Sequence, residues 1–447
     1  MRLPFRPMLA AALVAVFVAG CSAPALQEQQ PVDPQPREPG GALATYLHGL
    51  SERDERVRFA DARLEQHRIP AEDGVELDTW VAVPPGEGPF PVVLRITPYY
   101  AGGPPAGLGR LGEELLGRGY AVALSTVRGT GTSGGCFHQG SEQEARDGAA
   151  VVEALAALPW SNGNVGMVGV SYDGTTPQNV WLESPPALKT IVPISGISDF
   201  YKYNFVNGVP IVIQGFGFNA YYWLFEDALF DMGGPGSQDP REVVHALQGA
   251  ACAEQVDVQL GGATSTATGD KNAYWQSRDL VARLAARVEE GRPPAASVLY
   301  VHGLQDWNVK PHHMEDWLQA VQATGVPFKA MLGQWGHAWP QATARDARCM
   351  PDADGVAACR TDWWDQVLVA WFDQFLKGKE TGILDAPAVQ VQDDDGVWRH
   401  EDAWPPADAR WHGLRLAAAG RLVAEGDAPR ATVSWVDGSH AVTTLPR

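Results

Sequence analysis

The stretch Gly169-Val170-Ser171-Tyr172-Asp173-Gly174 constrains this chain more than any other. It follows the apolar run Val165-Gly166-Met167-Val168, which places a serine at the end of a strand. A serine among small neighbours at a strand-to-helix turn is the arrangement of a nucleophile elbow, with the hydroxyl exposed on a strained backbone. The spacing is Gly-x-Ser-x-x-Gly, one residue longer than the usual Gly-x-Ser-x-Gly. In a chain with 48 glycines such a pattern arises by chance, so its meaning depends on a base and an acid downstream.

A serine nucleophile needs a base to take its proton and an acid to hold that base in the right tautomer. On a parallel hydrolase sheet they follow in the order Ser, Asp, His. The strand Val298-Leu299-Tyr300-Val301 runs into His302-Gly303-Leu304-Gln305-Asp306-Trp307-Asn308, which puts Asp306 in a loop at a strand's carboxyl end. The next strand, Phe328 to Leu332, ends in Gly333-Gln334-Trp335-Gly336-His337. Three strand-end loops thus deliver Ser171, Asp306 and His337 to one sheet edge in the required order. His302 follows its strand too directly and reads as a packing residue, while His312 and His313 open a helix and read as solvent-exposed. Asp173 reads as a helix-dipole partner on the opening turn of the elbow helix. The tetrahedral intermediate needs oxyanion donors. The backbone N–H of Tyr172 is one, and the Tyr99 hydroxyl, in Thr97-Pro98-Tyr99-Tyr100 after an early strand, is the candidate for the second; the alternative is that Tyr99 only packs.

The remaining periodicity predicts an α/β fold. Alternation over Val75 to Val83 reads as a strand, as do 91–96, 120–127, 165–170, 189–194, 297–302 and 327–332. Helical patterns lie between them over 108–116, after the capping box Ser141-Glu142-Gln143-Glu144, from about 173, and over 312–323. This alternation predicts a doubly wound, mostly parallel sheet. Residues 199–292 break the rhythm, are rich in aromatics, and read as a helical cap inserted over the sheet. Residues 378–447 read as a short C-terminal β domain, either abbreviated or incomplete, which leaves 65–377 as the hydrolase domain.

Composition narrows the partners. The 447 residues carry a net charge of −19, which argues against nucleic acid, because phosphate binding needs a basic face. Residues 1–21 combine a basic start (Arg2, Arg6) with the apolar run Met8 to Val18, too short to span a bilayer, and end in Val18-Ala19-Gly20-Cys21. This is a lipobox pattern, with Cys21 lipidated and the protein held outside the cytoplasm; the alternative is an ordinary cleaved signal peptide. Residues 22–64 read as a flexible tether. The other cysteines, Cys136, Cys252, Cys349 and Cys359, allow two disulfides in three pairings. Cys349 and Cys359 flank a turn-rich loop and read as a local pair, leaving Cys136 with Cys252. No metal or organic cofactor is implied, and nothing in the pattern specifies an oligomeric state.

Several segments resemble one family of serine hydrolases, the Xaa-Pro dipeptidyl-peptidases with the cocaine esterase-like acyl esterases and α-amino-acid ester hydrolases. They are Arg128 to Gly135 (RGTGTSGG), Trp160 to Gly166 (WSNGNVG), the Ser171 elbow, Ile191 to Ser198, His302 to Pro311 (HGLQDWNVKP) and Glu401 to Pro406 (EDAWPP). The resemblance implies an α/β-hydrolase domain with a cap and a C-terminal jelly-roll-like domain, the triad Ser171, Asp306 and His337, and Tyr99 and Tyr172 as oxyanion donors. Within the family the elbow, the aromatic stretch 199–207 and the acid loop look most like the dipeptidyl-peptidase branch. That branch must grip a free α-amine, for which Asn308, Glu226 and Asp227 are candidates. The expected substrate is therefore a peptide with an N-terminal Xaa-Pro. The alternatives are an ester cleaved by the same triad, or a non-catalytic binding lipoprotein that keeps the fold; any membrane contact runs through the lipid on Cys21. One departure stands out: Thr126 occupies a position that is often acidic in the family and would pair with Arg128.

Overall fold

The computed structural model describes residues 42–51, 57–99, 109–213, 216–217, 252, 269–337, 340, 361–393, 398–410, 412–417 and 421–424. Cys21, Glu226, Asp227, Cys349 and Cys359 lie outside the described residues.

Ten strands form one sheet, and the alternating apolar runs of the sequence are its members. In chain order they are β1 (Arg63–Pro70), β2 (Glu76–Val83), β3 (Phe90–Thr97), β4 (Ala121–Thr126), β5 (Ser161–Val170), β6 (Leu188–Ile194), β11 (Ser297–Gly303), β12 (Phe328–Gly333), β13 (Val389–Gln392) and β14 (Trp398–Glu401). Across the sheet the order is β1-β2-β4-β3-β5-β6-β11-β12-β13-β14. The block from β4 to β13 is parallel, and β1, β2 and β14 are joined antiparallel at its two ends. Parallel strands are buried on both faces, and the pattern shows it. Val92 and Leu94 of β3 enter one core layer while Val93 enters the other.

Helices cover both faces. The layer that receives Val92 and Leu94 is closed by α3 (Glu142–Ala156), α4 (Tyr172–Glu183), α7 (Leu280–Glu289) and α8 (His312–Gln322). The opposite layer is closed by α1 (Ala42–Ser51), α2 (Gly109–Gly117) and α9 (Thr361–Leu376). Above the carboxyl edge of the sheet stands a third apolar cluster of Tyr172, Ile197, Phe200, Tyr203, Phe205, Trp275 and Val309. It draws on α5 (Phe200–Asn204), β7 (Phe205–Val206), which pairs with β8 (Val209–Pro210), and α6 (Ala273–Gln276); a second small pair joins β9 (Val212–Ile213) to β10 (Phe216–Gly217). Cys136, in the loop after β4, is disulfide-bonded to Cys252 of the inserted segment. A further hairpin joins β15 (Leu414–Ala417) to β16 (Arg421–Ala424). Among the described residues no helix is long and apolar enough to cross a membrane.

Three boundaries differ from those expected. The stretch 22–64 is not all tether, because Leu43, Leu47 and Leu50 make α1 amphipathic and bury it against α9. The inserted segment ends before 292, because Leu280 and Leu284 bury α7 in the main core as the crossover helix between β6 and β11. The C-terminal β region does not begin as a separate module, because β13 continues the parallel register from β12 and β14 closes the sheet.

One polar cluster ties the α1/α2/α9 layer together. The buried Asp373 of α9 accepts hydrogen bonds from the hydroxyls of Tyr46 (on α1) and Tyr120 (2.6 Å), and pairs with Lys377 at 2.9 Å and Lys379 at 3.0 Å. Removing Asp373 strands the buried Tyr120 hydroxyl and the part-buried Lys377, while the half-exposed Lys379 regains water; the cost is about 1–3 kcal/mol. Asp373→Ala should therefore destabilise the fold by that order, read as a lowered denaturation midpoint; an unchanged midpoint would show the cluster to be incidental.

Candidate active site

Parallel register decides where the chemistry can gather. Val170 of β5 is level with Ile194 of β6, and Ile194 with Val301 of β11. Gly303 at the end of β11 is level with Gly333 at the end of β12. Ser171, Asp306 and His337 therefore all lie within a few residues of one sheet edge.

Ser171 has φ 67° and ψ −126°, a conformation costly for a side chain, of order 1–3 kcal/mol. Two glycines make room for it. A Cβ on Gly169 would stand 2.2 Å from the Asp173 carbonyl oxygen, and a Cβ on Gly174 2.3 Å from the Ile194 carbonyl oxygen. The shifted glycine spacing is thus the packing requirement of this turn: position 174, rather than 173, is where α4 touches β6. The Ser171 N–H donates to Ile194 O at 3.0 Å, and the Ser171 carbonyl accepts from the N–H groups of Gly174 and Thr175, both at 3.0 Å. Asp173 is fully buried and takes the Arg95 Nε–H at 2.5 Å. Its first-turn dipole role thus comes with a salt partner from β3, which also explains the arginine inside an otherwise apolar strand. Burial raises the Asp173 carboxyl and the Arg95 charge opposes that rise.

Asp306 is held on both oxygens. Its Oδ1 accepts the N–H groups of Asn308 (2.9 Å) and Val309 (3.0 Å), and its Oδ2 accepts from His337 Nδ1 at 2.7 Å. A carboxylate cannot donate, so Nδ1 carries the proton and Nε2 is left as the basic atom. The Asp306 side chain is 0 % exposed and the imidazole 17 %, so the base meets solvent and the acid does not. Among the described residues the imidazole is bonded to Asp306 and not to Ser171, as is common before a substrate tightens such contacts. The acid and base loops meet because two glycines allow it: a Cβ on Gly303 would lie 2.2 Å from the Trp335 carbonyl oxygen, and one on Gly333 would enter the Trp335 ring.

The other sequence candidates separate clearly. Tyr99 is part-buried two residues beyond β3, its ring edge-on to that of Tyr172 with centroids 6.3 Å apart. Asn308 turns its Oδ1 toward the cap and accepts the Tyr203 hydroxyl at 2.7 Å. His302 is a packing residue as expected. Its Nε2–H donates to Val309 O at 2.9 Å, so its Nδ1 faces the Tyr300 hydroxyl as an acceptor, and burial pushes it down to about 4. His313 corrects the expectation of exposure: it is buried beside the Ser198 hydroxyl, and His312 is half-buried. Arg128 keeps partners despite Thr126, pairing with Asp147 from α3 (2.5 and 2.7 Å) and Asp73 (3.0 Å).

Sequence reasoning placed Glu144 only in a capping box. The Ser141 hydroxyl does accept the Glu144 N–H, yet the carboxylate reaches Gly140 N–H (2.9 Å) and the Tyr172 hydroxyl (2.7 Å) instead of closing on Ser141. Its signal was a glutamate at the third helical position, with nothing local to reveal the tyrosine.

An α/β sheet with a serine elbow, and an Asp–His pair on neighbouring strand ends, defines the α/β-hydrolase class. The chain belongs to the X-Pro dipeptidyl-peptidase (S15) family, whose model matches residues 73–339. A Bacillus anthracis protein provisionally named Xaa-Pro dipeptidyl-peptidase is 28% identical over 410 residues, covering 84% of this chain and 62% of that protein. A Bacillus cereus protein of the same provisional name is 30% identical over 366 residues, covering 74% and 56%. The chain thus spans about three fifths of the length of these relatives. The same fold occurs in an aminopeptidase from a marine sediment thaumarchaeon (TM-score 0.61, 23% identity, 82% of this chain and 62% of that one). It occurs also in an α-amino acid ester hydrolase (TM-score 0.54, 22% identity, 81% and 62%).

Burial lifts the Glu144 carboxyl from 4.5 to about 7, against the Tyr172 and Gly140 bonds and the Arg278 charge, which lower it. Between about pH 4.5 and 7 the folded protein keeps this proton while the unfolded chain has lost it. Stability from this group is therefore full below pH 4.5 and is lost as pH rises to 7, on the order of 3 kcal/mol in all. Denaturation at pH 5 and pH 8 should show a smaller pH-dependent loss in Glu144→Gln than in the parent; equal losses would contradict the assignment.

Proposed function

We propose that the chain is a serine hydrolase that releases Xaa-Pro dipeptides from peptide N-termini through an acyl-enzyme. The observation that carries the reading is the 2.7 Å bond between His337 Nδ1 and Asp306, on the sheet edge that also holds Ser171 at positive φ. In this reading Ser171 Oγ attacks the carbonyl carbon of the Xaa-Pro unit while His337 Nε2 takes its proton. The tetrahedral oxyanion is met by the Tyr172 N–H and the Tyr99 hydroxyl. The C–N bond breaks as His337 returns the proton to the leaving amine. Water, deprotonated by the same imidazole, then releases the dipeptide and restores Ser171. Asp306 stays ionised throughout, fixing the tautomer and balancing the imidazolium. The part-buried rings of Tyr99 and Phe137, packed on the buried Tyr172, Phe200 and Tyr203, support a compact apolar ring at the scissile residue.

Ser171→Ala should cut kcat/KM on Gly-Pro p-nitroanilide by about 10⁴-fold or more with the melting temperature unchanged. Undiminished turnover would overturn the reading. Preference for simple aryl esters over the anilide would instead assign an ester hydrolase.

We further propose that the enzyme works outside the cytoplasm on a lipid anchored at Cys21. The basic start, the short apolar run and the Val-Ala-Gly-Cys sequence support this, as does the Cys136–Cys252 disulfide, a bond of oxidising compartments. Cells fed an alkyne fatty acid should label the parent and not Cys21→Ser; equal labelling would refute the anchor.

A further inference from the structure

Glu144 is buried with its carboxylate facing donors on every side. Oε2 accepts from the Tyr172 hydroxyl at 2.7 Å and Gly140 N–H at 2.9 Å, and Oε1 accepts from His138 N–H at 3.2 Å. A helix cap needs none of the first of these. The loop that carries His138 and Gly140 is clamped from the cap side. Arg278 donates to His138 O at 2.7 Å and to Gln139 O at 3.0 Å, and Tyr274, stacked under the Arg278 guanidinium, donates to the Gln139 side chain at 2.7 Å. Glu144 therefore joins three parts of the molecule: the loop clamped by Arg278 and Tyr274, the start of α3, and the residue directly after Ser171.

Tyr172 is the pivot. Its backbone belongs to the elbow, and its ring touches Tyr99 edge-on at 6.3 Å, Phe137 at 5.8 Å and Phe200 at 6.0 Å. A residue at a sparsely populated φ, such as Ser171, keeps that conformation only when its surroundings over-determine it. The far end of the Tyr172 side chain, tied to a different helix, is one such restraint.

Resting on the hydrolase reading above, we infer that Glu144 is a positioning residue for the oxyanion side of the site, acting through the Tyr172 hydroxyl to hold the Ser171–Tyr172 backbone and the neighbouring Tyr99 ring in register. It touches no reacting atom. Loss of the restraint should weaken stabilisation of the transition state, and so lower kcat, while ground-state binding changes little.

The test is a double-mutant cycle on the full chain with Gly-Pro p-nitroanilide, assayed well below each variant's melting temperature. Glu144→Ala should lower kcat by about tenfold or more with KM changed by less than about threefold, and should slow fluorophosphonate labelling of Ser171 in parallel. Glu144→Gln, which keeps an acceptor oxygen for the tyrosine, should recover most of that loss. In the Tyr172→Phe background the same Glu144 substitutions should cost less than about threefold, because the bond is already gone. Equal losses in both backgrounds, or a lowered melting temperature with kcat intact, would overturn the inference and leave Glu144 a helix cap. If Glu144→Ala does not fold, Tyr172→Phe alone removes the same bond and should itself lower kcat by about tenfold with KM little changed; kcat intact in that variant would overturn the inference. Wild-type turnover and labelling report separately on the hydrolase reading: a parent that neither cleaves the anilide nor reacts at Ser171 sinks that reading first.

Discussion

The backbone turn at Ser171 is possible only because α4 lies directly on β6 with no side chain between them. Gly174 sits where any Cβ would strike the Ile194 carbonyl oxygen, and Gly169 where one would strike Asp173. This close approach lets Ser171 adopt a positive φ and lifts its hydroxyl off the sheet edge. The rest of the site is arranged around that point. Asp173, forced into the interior by the same turn, finds Arg95 on β3, so the elbow is pinned to the strand that leads into Tyr99.

The acid and base are brought together by the same device further along the sheet, at the ends of β11 and β12. Gly303 and Gly333 let the loops after β11 and β12 press against each other, and the main-chain bonds Leu304 N–H to Gly333 O and Gln305 N–H to Trp335 O lock them. The Asp306 carboxylate then needs no freedom. Two N–H groups hold one oxygen and the imidazole the other, while His302 stays neutral in the interior and secures the Val309 carbonyl. Three glycines at strand ends and Gly174 in the first turn of α4 thus do for geometry what the polar residues do for charge.

The cap is coupled to this edge by covalent and polar links together. The Cys136–Cys252 disulfide fastens the inserted segment to the loop that carries Phe137, a neighbour of Tyr172. Arg278 fastens the cap base to the carbonyls of His138 and Gln139, and Tyr203 fastens α5 to Asn308. The inserted segment therefore bears on both the loop beside Tyr172 and the loop that carries Asp306.

Much of this was legible in the sequence, because it rests on local rules. The periods of two and 3.6 residues located the strands and helices of the α/β core to within a few positions, and strand-end loops named Ser171, Asp306 and His337 in order. Tyr172 was read from its place directly after the nucleophile and Tyr99 from the loop after an early strand; the oxyanion role of each belongs to the proposed mechanism. What the tertiary structure decided was every contact between elements distant in sequence. Glu144 reads locally as a cap and becomes the partner of Tyr172 only because α3 and α4 pack side by side. Arg128 lacks an acid at position 126 and recovers two from α3 and the turn before β2. His313 reads as exposed at a helix start and is buried because α5 covers it. Residues 42–51 read as linker until their leucines meet α9, and the strands at 389–401 read as a new domain until they add to an existing sheet edge. Backbone propensity and spacing act within a few residues, whereas burial and pairing depend on which surfaces meet, and only the folded chain brings those surfaces together.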